Sequence, residues 1–112
     1  MLKVLYLRSS FDPGGTESLL LNLFNYPQNT IQFHYTFLKG GSLIPRLQSD
    51  TNKYYIVSRI NKIDFVVLQK IIRIIRDENI DVVHTHQMFE LFYAVLLKIR
   101  YPKLKIFHTI HG

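Results

Sequence analysis

The chain has 112 residues, 47% of them hydrophobic and 20% charged, with a net charge of +6 and no cysteine. One domain fits that length, and the composition belongs to a core former and not to a disordered tail. The absence of cysteine excludes a disulfide framework, a thiolate nucleophile and any thiolate-held zinc or iron–sulfur centre.

Residues 2–8, LKVLYLR, read as a first strand, because the apolar run is followed at once by Ser9, Ser10, Asp12, Pro13, Gly14 and Gly15. A helix follows over TESLLLNLFNY, with Thr16 as its N-cap, Leu19, Leu20, Leu23 and Phe24 at helical spacing, and Pro27 as its end. IQFHYTFL, residues 31–38, alternates and is rich in aromatics, which predicts a second strand. Gly40 and Gly41 close it and open SLIPRLQS, room for one short helix. KYYIVS at 53–58 is a third strand. Asp64 then caps FVVLQKIIRIIRDEN, where Leu68, Ile71, Ile72 and Ile75 form one apolar stripe. IDVVHT at 80–85 is a fourth strand, MFELFYAVLLKIR a helix apolar nearly all round, and LKIFHTI at 104–110 a fifth strand.

Alternation of this kind predicts an α/β fold, a Rossmann-like doubly wound parallel sheet of five strands in the order 3-2-1-4-5. Right-handed crossovers bring every carboxyl end to one edge, and ligands of such sheets bind in the crevice there. Three segments fall at that edge. In Arg8 to Glu17, Gly14 and Gly15 precede a helix start, where backbone amides can approach an anion. The spacing is neither that of a dinucleotide fingerprint nor that of a P-loop, and taken alone the pair reads better as a tight turn without a ligand. In His84-Thr85-His86, alternate residues share one strand face, and His86 lies nearer the crevice. In His108-Thr109-Ile110-His111-Gly112, His111 falls just past the strand end with Gly112 behind it, while His108 lies within the strand. Two histidines one residue apart fall short of the three or four ligands zinc wants, so neither a metal nor another cofactor is expected.

These three segments, in this order and spacing, resemble the N-terminal domain of family 4 glycosyltransferases, which have the GT-B fold. The phrases that carry it are Gly14-Gly15-Thr16-Glu17, Asp81-Val82-Val83-His84-Thr85-His86 and Thr109-Ile110-His111-Gly112. The resemblance covers essentially residues 1–112 as one domain. It implies two Rossmann-like domains around a cleft, with the acceptor held mainly by the N-terminal one. It also implies metal-free sugar transfer from a nucleotide-diphosphate sugar, with retention of configuration, to a glycan or lipid-linked acceptor. Surface polysaccharide assembly is the expected setting. Gly14, Gly15 and Thr16 would line the cleft by the sugar donor's phosphates. His111, beside Gly112, would border the reaction centre as the catalytic candidate, and His86 would belong to the acceptor pocket.

The family's second domain binds the nucleotide and carries two glutamates eight positions apart; here glutamates stand only at 17, 78 and 90. The last predicted strand is followed by two residues and no covering helix. The expectation is therefore an acceptor-side half without its nucleotide-sugar domain, inactive alone and prone to self-association through the apolar helix 88–100. The competing reading is a non-catalytic flavodoxin-like binding module. A receiver domain would want clustered aspartates at strand ends, but only Asp12 follows the first strand and Asp81 begins a strand. Basic residues outnumber acidic ones 6 to 3 in residues 1–60 and 8 to 5 in 61–112, so no basic arm stands out. Without a recognised motif no nucleic-acid partner is expected. The longest apolar run, Leu91 to Leu97, is far short of the roughly 20 residues of a membrane span. Arg8 breaks the N-terminal stretch too early for a signal peptide. The expected location is the cytoplasm, with a peripheral contact at the inner face of the membrane compatible with the positive charge.

Overall fold

In the computed structural model, residues 1–26, 30–58 and 64–109 are described. The β-branched and aromatic segments pair as β1 (Leu2–Arg8), β2 (Ile31–Phe37), β3 (Lys53–Ile56), β4 (Val82–Thr85) and β5 (Lys105–His108). All four pairings are parallel, and the order is β3-β2-β1-β4-β5. The crossovers carry α1 (Gly15–Asn25), α2 (Phe65–Glu78) and α3 (Met88–Arg100), and a single 3₁₀ turn spans Ile44–Arg46. This is the α/β Rossmann-like sheet that the alternation predicts.

Period-2 alternation divides β1 between two cores. Leu5 and Leu7 join Val83 and the apolar faces of α2 and α3, with Ile71, Ala94 and Leu97 fully buried. Tyr6 points the other way, into a cluster of Tyr35, Phe37, Phe11 and Phe24 under α1. Burying β2 on both faces also takes His34 and Thr36 out of water. Burial pushes the His34 imidazole down to about 4, so it is neutral; its Nδ1 lies 3.3 Å from the Tyr55 hydroxyl.

Helix ends follow local chemistry, with one correction. Asp64 caps α2 as the sequence predicts, accepting from the amides of Val66 (3.0 Å) and Val67 (3.4 Å). Asn79 closes the same helix in the left-handed region at φ 54°, which Asn tolerates better than most residues. Thr16, however, is not the cap of α1. Gly14 takes that position, Thr16 lies inside the first turn, and no cap side chain bonds the amides. The helix already begins at Gly15, so Thr16 has helical backbone where a side-chain cap needs an extended one, and the nearby Glu17 carboxylate puts its charge at the helix start. Strand ends are shorter than predicted at 53–58, 80–85 and 104–110. Ile80, for example, donates its amide to Ile75 O at the end of α2 and so cannot open β4.

Candidate functional site

The carboxyl edge of the sheet begins with the last residue of β1. Arg8 is buried, its side chain 9% exposed, and its Nη2 donates to Glu17 Oε1 at 2.7 Å. Its Nε has no partner among the described residues. Glu17 sits in the first turn of α1, with its other oxygen 2.5 Å from where a Cβ on Gly14 would lie. A Cβ on Gly15 would meet nothing within 4 Å. The start of α1 thus combines an exposed glycine pair, helix amides and a buried guanidinium, with one carboxylate balancing the positive charge.

Three rings stack beside it. Tyr6 lies opposite His84 in the β1–β4 register, with ring centroids 4.4 Å apart, and His86 is 5.1 Å from each of them. Burial pushes the Tyr6 phenol up to about 12, so the hydroxyl keeps its proton. It is hydrogen-bonded to His86 Nε2. His84 Nε2 lies 2.6 Å from Thr109 Oγ1, and burial, with His108 and Arg8 adding to it, lowers its proton affinity. His108 turns to the opposite face, where its Nδ1 lies 2.7 Å from the buried Thr85 hydroxyl. The strand histidine is therefore hydrogen-bonded within the fold.

A buried carboxylate joins the two halves of the edge. Glu90, in the first turn of α3 and 1% exposed, accepts from Ser9 N (2.9 Å) and Ser9 Oγ (3.1 Å) at Oε2. At Oε1 it accepts from His86 N (2.9 Å) and Gln87 N (3.3 Å). The last bond belongs to a capping box in which Gln87 is the N-cap. The others fasten the loop after β1 to the end of β4.

Of the residues singled out from the sequence, Gly14, Gly15, Thr16 and His86 stand at this edge, linked through Glu17, Arg8, Ser9 and Glu90. His111 and Gly112 lie outside the described residues. Sequence reasoning missed Tyr6, Arg8 and Glu90. Only Glu90 left a signal: a glutamate three positions after Gln87 at a helix start has capping-box spacing. Among the described residues no group of three or more His, Asp or Glu could hold a metal ion. A cavity of about 700 Å³ opens at the opposite, amino edge of the sheet, between Leu2, Ile75, Ile80, Tyr101 and Leu104. It has no part in this edge.

Comparison with protein-family models gives a match over residues 13–112 to the one described as Glycosyltransferase Family 4. A search of curated proteins finds no match. The matched span takes in the glycine pair, Glu17, His86 and Glu90.

Proposed function

Because the chain belongs to glycosyltransferase family 4, we propose that it is the acceptor-side domain of a retaining, metal-independent enzyme. That enzyme moves a sugar from a nucleotide-diphosphate donor to a glycan or lipid-linked acceptor. The observation that carries this reading is the convergence, at one sheet edge, of the open Gly14–Gly15 helix start and His86, tied together through Ser9 and Glu90.

The division of labour follows from the electrostatics. Transfer breaks the bond from the anomeric carbon to the diphosphate and forms one to an acceptor hydroxyl, so negative charge grows on the leaving group. The amides of the first turn of α1 and the Arg8 guanidinium supply positive potential there, partly offset by the Glu17 carboxylate; Gly14, Gly15 and Thr16 line the phosphates, with open space at Gly15. His86 serves the acceptor pocket, and His111 borders the reacting centre beside Gly112. A second domain completes the nucleotide site, so that sugar and acceptor are held at reacting distance away from water.

The setting is surface polysaccharide or lipid-linked glycan assembly in the cytoplasm, at the inner face of the membrane. No described helix is long and apolar enough to cross a membrane. The exposed side chains of Met88, Phe92, Val95 and Ile99 lie opposite the buried Tyr93, Ala94 and Leu97 on α3, and support self-association of the 112-residue chain.

The test is sugar transfer by the complete enzyme. His111→Ala should lower turnover by roughly 10²–10³, as expected for one lost preorganised hydrogen-bond donor, with little change in melting temperature. His108→Ala, which breaks the bond to Thr85, should instead lower the melting temperature. Unchanged turnover in His111→Ala, with turnover abolished in a folded His108→Ala, would overturn the assignment. Binding without any transfer would favour the flavodoxin-like module.

A further inference from the structure

A helix cap explains one of the four hydrogen bonds that Glu90 accepts. The bond from Gln87 N closes the capping box, and an exposed glutamate does that in many helices. The remaining three come from outside α3, two from Ser9 after β1 and one from His86 after β4. Among the described residues no cation is bonded to this carboxylate, although it is 1% exposed. A buried carboxylate without a cation persists only where donors saturate it.

The saturation is a fork. One oxygen takes the Ser9 amide and hydroxyl; the other takes the amides of His86 and Gln87. Only a carboxylate fits, because an amide has one accepting oxygen and would present N–H to backbone N–H on the other side. We infer that Glu90 is a positioning residue for sugar transfer: its carboxylate fixes the backbone of His86 against the loop after β1 and so sets where the imidazole stands in the acceptor pocket. This rests on the proposed role of His86. The ring itself is held from the other side, by the Tyr6 hydroxyl on Nε2. Glu90 also supports that second contact, since its negative charge helps burial keep the Tyr6 phenol protonated. Backbone and ring of His86 are therefore held by a group 4 residues further along the chain and by one 80 residues before it. The glycine loop shares the arrangement through Ser9 and its neighbour Arg8.

Glu90→Gln tests this in two arms. In the ¹⁵N-labelled 112-residue chain, the wild-type His86 imidazole, held by the Tyr6 hydroxyl, should show a single tautomer. The folded variant should show a mixture, and the amide of either Ser9 or His86 should move upfield. In the complete enzyme the same variant should raise the acceptor KM at least tenfold while leaving the KM for the nucleotide sugar within twofold. A folded variant with a lower melting temperature but an unchanged His86 tautomer would reduce Glu90 to a helix cap and overturn the inference. So would equal changes in both KM values. Should Glu90→Gln not fold, the wild-type chain decides: through-hydrogen-bond couplings must link the Glu90 carboxyl carbon to the amides of both Ser9 and His86, and the loss of either overturns the arrangement. The spectroscopic arm needs no sugar, so a failure of the transfer reading leaves it standing on its own result.

Discussion

Two glycine pairs flank one loop contact, and their second residues are opposites. Gly40 and Gly41 follow β2, and a Cβ on Gly41 would lie 2.3 Å from Phe11 O and 2.5 Å from Phe11 C. Gly14 and Gly15 precede α1, and there the nearest obstacle is the far end of the Glu17 side chain at Gly14, with none at Gly15. The loops are bonded to each other, Leu43 N to Phe11 O at 3.0 Å and Ser42 N to Asp12 Oδ1 at 3.0 Å. Gly41 is therefore filled by the protein's own backbone, whereas Gly15, like Gly40, is left open. In sequence the pairs look alike, but only at Gly15 does open space meet the start of a long helix. A glycine whose missing side chain meets backbone serves packing, whereas one whose missing side chain meets solvent beside a helix start is available to function.

Substitution by alanine should separate the two loops by size of effect. Gly41→Ala should destabilise most, by roughly 3 kcal/mol, at the upper end of overpacking, because two backbone segments must part. Urea unfolding measures it, and a loss below about 1 kcal/mol would mean that the loops slide past each other and the contrast is weaker than drawn.

Gly14→Ala should come next, at about 1 kcal/mol, the scale of one hydrogen bond. Its new Cβ displaces the Glu17 carboxylate 2.5 Å away and with it the Arg8 contact. A double-mutant cycle with Glu17→Ala sharpens this. If the effect runs through Glu17 it vanishes in that background, and if it persists the strain lies in the backbone.

The smallest effect belongs to Gly15→Ala. It lies in open space at the first helical position, so stability should change by less than about 0.5 kcal/mol or rise slightly as the unfolded chain loses freedom. Sugar transfer by the complete enzyme should nonetheless fall, since the methyl group occupies room beside the helix amides. Full activity in a stable Gly15→Ala variant would return this loop to the status of a plain turn.

How much was legible depended on whether the deciding interaction is local. The bounds of β1 and α3 could be read to the residue, because LKVLYLR and MFELFYAVLLKIR contrast sharply with the polar or proline-containing segments beside them. The cap at Asp64 was legible for the same reason, its partners lying two and three residues away. Thr16 misled because Ser and Thr are good caps in general, and nothing in the string tells that the helix already begins at Gly15. His34 shows what alternation leaves undecided: IQFHYTF reads as a strand, but that β2 is covered on both sides with His34 inside is seen only in the fold.

The sequence by itself determined the order of elements, the parallel sheet with its order 3-2-1-4-5, the family, and the presence of a glycine pair and His86 at one edge. Those depend on residue spacing within a few turns or strands, combined with the handedness of parallel crossovers. The tertiary structure alone decided which buried polar groups meet: Glu90 with Ser9 across 81 residues, Tyr6 with His86 across 80, and Gly41 against Phe11. Periodicity says which face a side chain takes. Its partner is whatever the neighbouring strand and crossover bring there, and leaving a donor or acceptor so buried unpaired is costly, so the contacts at the crevice were fixed by packing and hydrogen bonding acting together.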